Sequence, residues 1–323
     1  MFLDRDTRIF LAGHTGMVGS ALLRILKAMD YRNVVLRSHK QLDLTDQSAT
    51  LKLFRDEAPE VVILAAAKVG GIYANSTAPA DFLFANLAIQ NNVINASLKS
   101  GVKNLLFLGS SCIYPRDCPQ PIKEEYLLTG PLELTNRAYA IAKLAGVEYC
   151  WSCNKQYGTR YFGVMPTNLY GPGDNYKKSL SHVIPGLIQR IHEAKEIDKG
   201  EVVVWGTGMP KREFLYSEDL AAASLFLLTN LDIVWNQLFS DELPPIVNIG
   251  TGREQTIREL ANKICKTIGY TGAIKFDPSK PDGTPRKILD ITKIRGIGWE
   301  AKTSFDEGIE AAYADYLERY ENS

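Results

Sequence analysis

Tyr139 and Lys143 stand four residues apart in the run Asn136-Arg-Ala-Tyr-Ala-Ile-Ala-Lys143. On a helix that spacing places them one turn apart on the same face. A phenol titrates near ~10 and an adjacent ammonium, by favouring the phenolate, lowers that value. A phenol so placed gives a proton to a carbonyl oxygen or takes one from an alcohol. Tyr-x-x-x-Lys alone occurs by chance in many helices. It gains meaning from two companions: the turn Gly13-His-Thr-Gly16-Met-Val-Gly19, and Leu108-Gly-Ser110-Ser111-Cys112 between that turn and the tyrosine.

The elements that must position these residues alternate between short apolar strands and amphipathic helices. Strands are predicted at 7–12, 33–36, 61–65, 103–108 and 160–165, and helices at 17–30, 81–99 and 139–157. The helix at 17–30 carries apolar residues at 18, 22, 25, 26 and 29. The unbroken apolar run Val61–Ala65 suits a parallel sheet covered on both faces. Such β-α-β units build a Rossmann-type doubly wound α/β sheet. After Pro166 the pattern changes. Helices are predicted at 182–195, 219–228 and 256–268 and after Ser304, a strand at 202–205, and a further apolar stretch at Val247-Asn-Ile-Gly250. The expected division is a cofactor lobe over residues 1–166, with a segment near 215–245 returning to it. Residues 167–323 mainly form a smaller α/β lobe that closes over it.

Glycines let the backbone turn tightly and approach a pyrophosphate, and the helix N-terminus that follows offers free N–H groups. Gly13, Gly16 and Gly19 follow the first strand and open the first helix, so they are candidates for holding a dinucleotide. An acidic residue at the tip of the second strand would hold a free ribose, and a basic one a 2′-phosphate. The segment Leu36-Arg37-Ser38-His39-Lys40 is basic, which favours NADP. Asp43 is a candidate for the adenine side, with a helix or turn cap as its other reading. Ser110, at the carboxyl edge of the sheet, stands where ligands bind.

The chain has 323 residues, with 37 lysines plus arginines against 37 aspartates plus glutamates. Zero net charge gives no pointer to nucleic acid. No apolar run reaches the ~18 residues of a membrane helix, and the first residues do not form a secretory leader. These features point to the cytosol. The five cysteines show no scaffold-like spacing, which favours reduced thiols. Cys150 and Cys153 lack a second pair and fall within one predicted helix, so core packing rather than metal or redox chemistry is expected.

Ser, Tyr and Lys in this order behind a glycine-rich turn resemble the extended short-chain dehydrogenase/reductase superfamily. Longer runs narrow the resemblance: Ala66-Ala-Lys-Val-Gly-Gly-Ile72, Leu108–Pro115, Met165-Pro-Thr-Asn-Leu-Tyr-Gly-Pro172, Ser181-His-Val-Ile-Pro185 and Pro281-Asp-Gly-Thr-Pro-Arg-Lys287. These look like the GDP-L-fucose synthase family, and the match spans nearly the whole chain. Thr15 and His39 depart from members that place Arg there, leaving Arg37 and Lys40 as substitutes.

The resemblance implies a bifunctional 3,5-epimerase/4-reductase acting on GDP-4-dehydro-6-deoxy-D-mannose with NADPH. It implies that Ser110, rather than Ser111, polarises the ketone beside Tyr139 and Lys143, and that Cys112 and His182 form the epimerisation pair. It assigns the cofactor to Gly13, His14, Thr15, Gly16, Met17, Val18 and Gly19; to Arg37, His39, Lys40, Asp43 and Leu44; and to Leu108, Gly109, Lys143, Pro166, Asn168, Leu169 and His182. For the sugar nucleotide it names Arg190, Trp205, Arg212 and Asp282. A homodimer joined through two helices per subunit is also implied, and no metal, nucleic acid or membrane partner. His192 is expected to face solvent. Two other readings stay open: an epimerase or dehydratase that returns the hydride to the same substrate, and a cofactor-binding regulator.

Overall fold

The computed structural model describes residues 3–176, 181–280 and 282–320, and the side chains at 72 and 73 are left aside. Met1, Phe2 and Pro281, which the sequence reading included, lie outside the described residues. The first half runs β1 (Ile9–Ala12), α1 (Met17–Ala28), β2 (Val34–Val35), α2 (Gln47–Glu57), β3 (Val61–Leu64), α3 (Ile72–Thr77), α4 (Pro79–Lys99), β4 (Asn104–Leu108), α5 (Arg137–Tyr157) and β5 (Arg160–Pro166). Then come β6 (Asn168–Tyr170), α6 (Val183–Glu196), β7 (Glu201–Trp205), β8 (Lys211–Tyr216), α7 (Ser217–Thr229), α8 (Leu231–Leu238) and β9 (Ile246–Ile249). The chain closes with β10 (Glu254–Thr256), α9 (Ile257–Ile268), β11 (Ala273–Asp277), β12 (Arg286–Lys287), α10 (Thr292–Ile297) and α11 (Phe305–Tyr320).

Six parallel strands form the main sheet in the order β2-β1-β3-β4-β5-β9. Every residue of β1, β3 and β4 is buried, as a sheet covered by helices on both faces requires. Strand order reverses between β1 and β3, and in sheets of this kind ligands bind beyond the carboxyl ends of the strands at that point. A larger core surrounds this sheet and takes in Leu220–Leu238, Ile246–Ile249 and Leu289–Trp299 residues from late in the chain. The smaller core gathers Ile184, Leu187 and Ile191 of α6, Leu260 and Ile264 of α9, and Ile309 and Tyr316 of α11. There β8 pairs with β10, β12 and β6, while β7 pairs with β11.

Gly146 sets the depth at which α5 packs on the sheet. A Cβ there would lie 2.5 Å from the Phe107 ring of β4 and 2.9 Å from Gln90 Oε1 of α4. Gln90 Nε2 also donates to the Ala142 carbonyl at 2.6 Å, tying α4 to α5. Cys150 and Cys153 lie buried on α5, within the larger core.

Several boundaries, several short elements and the placement of His192 differ from the sequence expectation. The first helix ends at Ala28, because Asp30 takes φ 61° and turns the chain away. The second strand shrinks to Val34–Val35. α2 was not expected. Its buried face is only Thr50, Leu53 and Phe54, and its clearest signal is the cap in which Asp46 Oδ1 accepts from Ala49 N at 3.0 Å. His192 was expected to face solvent but is buried, 6% exposed, with Nδ1 3.0 Å from the Tyr313 hydroxyl. α11 returns over α6 and covers that face, and its position is invisible to the local pattern of residues 183–196.

Candidate active site

The glycine turn has the shape a pyrophosphate needs. Gly13 takes φ 90°, and a Cβ there would sit 2.6 Å from Ala66 N. At Gly19 a Cβ would meet Gly13 O at 2.0 Å, so α1 packs directly on the turn. Among the described residues no side chain caps Gly16, and His14 Nδ1 is buried without a hydrogen-bond partner. The N-terminal N–H groups of α1 are therefore available to an anion. Thr15 is exposed, Met17 half-buried and Val18 buried. This cradle fits a dinucleotide.

The basic segment after β2 is less uniform than its sequence. Arg37 is committed to Glu57 in an ion pair and to the Leu36 carbonyl at 2.8 Å. His39 and Lys40 are exposed. Asp43 Oδ1 accepts from Thr45 N at 2.9 Å and Thr45 Oγ1 at 2.8 Å, the turn-cap role. These bonds hold its carboxyl below the usual range. The half-buried Leu44 offers its carbonyl to Asn92 Nδ2 at 2.9 Å.

Beyond β4 the backbone passes through Gly109, where a Cβ would strike Met165 of β5 at 2.1 Å. A single helical turn, Ser111–Ile113, follows, with Ser110 Oγ accepting from Cys112 N at 3.2 Å. Tyr139 and Lys143 reach the same place from the first two turns of α5. The Ser110 hydroxyl lies beside the Tyr139 phenol. Burial raises that phenol well above its ordinary value, the Cys112 sulfur adds to the rise, and Ser110 opposes it. Lys143 is 3% exposed, and its Nζ donates to the Leu108 carbonyl at 2.7 Å. It lies 4.7 Å from the Phe107 ring centroid and 5.9 Å from that of Tyr139. Burial pushes the ammonium down to about 7. The sequence reading expected Lys143 to govern the phenol's titration, whereas desolvation is the largest cause for both groups.

Two groups the sequence reading did not single out approach the Cys112 sulfur. Asn136 Nδ2 donates to it at 3.2 Å, and Lys287 Nζ stands 4.0 Å away. Asn136 was visible as the residue opening α5, but its contact depends on the turn at 111–113. Lys287 arrives from 175 residues downstream, and the sequence offered it only as the last residue of the run Pro281–Lys287, without a role. Glu213 was also missed. It is fully buried on β8, where Oε1 accepts from Thr251 N and Gly252 N, each at 2.7 Å. Oε2 accepts from Leu289 N at 2.9 Å. Burial raises this carboxyl while the backbone bonds oppose the rise. One side chain thus fastens β8, the turn after β9 and the segment carrying Lys287.

His182 is the N-cap of α6. The residue as a whole is exposed, yet surrounding protein lowers the imidazole's pKa by desolvation. Two turns on, Arg190 is half-buried, with Nε donating to Gly186 O at 2.9 Å and Nη1 to Val203 O at 3.4 Å. Arg212 of β8 donates to the Lys211 carbonyl at 2.8 Å and feels the Asp282 charge. Asp282 accepts from Thr207 N at 2.9 Å and Thr207 Oγ1 at 2.7 Å. Trp205 is 69% exposed, with Lys280 Nζ 5.8 Å from its ring centroid. Asn168 Nδ2 donates to Glu213 O at 2.9 Å, between the buried end of β5, Pro166, and Leu169 of β6. Arg212 and Asp282 thus lie together, and Arg190 reaches the Val203 carbonyl of β7, the strand that ends in Trp205. Ser110, Cys112, Tyr139 and Lys143 form a separate cluster at β4.

The chain is similar to known proteins over nearly its whole length. The model of the NAD dependent epimerase/dehydratase family matches residues 9–250. A probable GDP-L-fucose synthase 1 of Oryza sativa subsp. japonica is 52% identical over 98% of this chain and 93% of its own. The GDP-L-fucose synthase of Escherichia coli strain K12 is 51% identical over 96% of this chain and 97% of its own. Among solved structures, the GDP-mannoheptose C4 reductase MlghC of Campylobacter jejuni, with NADP bound, superposes with a TM-score of 0.89 at 37% identity, covering 97% of this chain and 99% of that one. A dinucleotide cradle, a Ser–Tyr–Lys cluster and full-length identity near one half lead to one assignment: the chain belongs to the NAD dependent epimerase/dehydratase family and, within it, to the GDP-L-fucose synthases.

Proposed function

We propose that the chain converts GDP-4-dehydro-6-deoxy-D-mannose to GDP-L-fucose, inverting C3 and C5 and reducing C4 with NADPH. The observation that carries this reading is the Cys112 thiol beside the Ser110–Tyr139 pair. A plain ketone reductase needs only the hydroxyl pair. Inversion next to the ketone needs a base as well.

The C4 carbonyl acidifies the hydrogens at C3 and C5. Cys112, as thiolate, takes one of them: the C–H bond breaks, an S–H bond forms, and the electron pair enters an enolate whose oxygen is on C4. Ser110 and Tyr139 donate hydrogen bonds to that oxygen. His182 returns a proton to the same carbon from the opposite face. Its lowered pKa makes the imidazolium a readier donor. Exchange with solvent resets both groups, and the sequence repeats at the second carbon. When bound, NADPH supplies the hydride for C4. Tyr139 gives its proton to the C4 oxygen as Ser110 orients it.

Gly13, His14, Thr15, Gly16, Met17, Val18 and Gly19 hold the pyrophosphate. His39 and Lys40, with Arg37 behind them, face the 2′-phosphate, and Asp43 and Leu44 the adenine side. Leu108, Gly109, Lys143, Pro166, Asn168, Leu169 and His182 line the nicotinamide end. Arg190 and Arg212 take the substrate diphosphate. Trp205 offers a flat apolar face, and Asp282 an acceptor for hydroxyls. In this reading residues 1–166 and the returning segment form the cofactor lobe, and residues 167–323 mainly the sugar-nucleotide lobe. The protein works in the cytosol as a homodimer. Exposed Phe84 on α4, Leu134, and Ile141 on α5 support the dimer, since they offer an apolar surface on two adjacent helices.

The test is product identification by NMR after incubation with GDP-4-dehydro-6-deoxy-D-mannose and NADPH. GDP-L-fucose with one NADPH consumed is expected. A reduced sugar that retains the starting configuration at C3 and C5 would sink the epimerase half. Conversion without NADPH consumption would sink the reductase half.

A further inference from the structure

We infer that Lys287 and Asn136 are positioning residues that hold the Cys112 sulfur as a thiolate and fix its aim at the sugar ring. The inference rests on the reading of Cys112 as the epimerisation base. A thiol removes a carbon-bound proton only as its anion, so something must favour that anion at neutral pH. The Lys287 ammonium, 4.0 Å from Sγ, supplies the charge. The Asn136 amide, donating at 3.2 Å, supplies a directed hydrogen bond from a second side. With two donors on the sulfur, its remaining lone pair points where neither stands.

Lys287 is held by more than its own side chain. It sits on β12, in register with Arg212 of β8. The next two backbone N–H groups are fastened, Ile288 N to Gln120 Oε1 at 2.9 Å and Leu289 N to buried Glu213 Oε2 at 2.9 Å. Asn136 is held as the first residue before α5. The sulfur therefore stands between a donor on the cofactor side and one on the strap that carries Asp282.

Other titratable groups share this environment. Tyr139 faces the sulfur from α5. Burial raises the thiol of Cys118, in the loop after Pro115, with Lys287 opposing the rise and Asp117 adding to it. In the proposed mechanism His182 stands across the ring. A readout specific to the Cys112 sulfur is therefore needed.

The experiment uses the full-length chain with NADP bound. Iodoacetamide alkylation is followed from pH 5 to 10 at the Cys112 peptide by mass spectrometry, for the parent, Lys287→Met, Lys287→Gln, Lys287→Arg and Asn136→Ala. Removing one charge at contact distance moves a titration by about one unit. Lys287→Met should raise the alkylation midpoint by that much and slow the reaction at pH 7 by up to about tenfold. Lys287→Arg should restore most of it, and Asn136→Ala should give a smaller shift in the same direction. Solvent deuterium uptake at C3 and C5 should fall in step. If Lys287→Met does not fold, Lys287→Gln carries the same expectation. An unchanged midpoint in the folded charge-removing variant overturns the inference, even if turnover drops. Failure of the underlying reading looks different: Cys112→Ser would then keep its deuterium uptake whatever the alkylation profile shows.

Discussion

The Lys143 ammonium lies 5.9 Å from the Tyr139 ring centroid and spends its hydrogen bond on the Leu108 carbonyl, 2.7 Å away. Helix α5 and the end of strand β4 are thereby joined at the point where chemistry is proposed. The ammonium is buried, and its value is pushed down to about 7. The unfolded chain keeps that proton up to the ordinary lysine value near ~10.4. Between the two values the unfolded state binds more protons, so this group makes stability rise with pH across that window.

The same shift predicts a proton linkage on cofactor binding. At pH 8 Lys143 is mostly neutral without cofactor, and the charge of NADPH phosphates favours the ammonium. Binding should therefore take up a substantial fraction of a proton. Calorimetry at pH 8 in buffers of different ionisation enthalpy would measure it. Equal heats in all buffers would count against the linkage, and Lys143→Met should abolish the uptake.

Separating the two half-reactions tests the roles around β4. Cys112→Ser should lower solvent deuterium exchange at C3 and C5 by about 100-fold or more, because a hydroxyl is a far weaker base at neutral pH. Tyr139→Phe should reduce C4 reduction by about 100- to 10,000-fold while some exchange persists. Full exchange in the first variant, or full reduction in the second, would remove that residue from its role.

Cofactor choice should rest on His39 and Lys40 more than on Arg37, which Glu57 already engages. Lys40→Ala should raise the KM for NADPH by roughly tenfold, the value of one charged phosphate contact, and leave that for NADH unchanged. Parallel losses with both cofactors would show that Lys40 does not meet the 2′-phosphate.

Glu213 gives a prediction about stability. Truncation to Ala strands three backbone N–H groups, those of the part-buried Thr251 and Gly252 bonds and the buried Leu289 bond. The expected cost is about 1–3 kcal/mol, seen as a lower thermal midpoint. Glu213→Gln should cost less, because its one amide oxygen still accepts. A Glu213→Ala melt equal to the parent would refute the anchoring role.

Association should depend on the apolar faces of α4 and α5. Phe84→Asp, at a side chain 70% exposed, should shift the protein from dimer to monomer in light scattering, with little change in helix content. A parent chain that is monomeric at micromolar concentration would end the dimer proposal.

The parallel sheet was legible because its strands are short, apolar on both faces and spaced by helices. Gly13, Gly16 and Gly19 were legible because a tight turn before a helix restricts residue type. Other features were not. α2 has a thin apolar face, the strands around β8 are two to six residues long, and His192 is covered by a helix more than a hundred positions away. Lys287 reached the site only through pairing of β12 with β8. In each case the deciding contact is long-range, and no local period encodes it.

Gly146 gives the closeness of α5 to β4 a consequence for how this family could be tuned. Any side chain there would wedge the helix away from Phe107 and Gln90. Asn136, Tyr139 and Lys143 all ride on the near end of that same rigid rod, so a lever applied at the back would swing amide, phenol and ammonium as a set. Variation behind the helix could thus retime proton delivery without altering any group that meets the sugar.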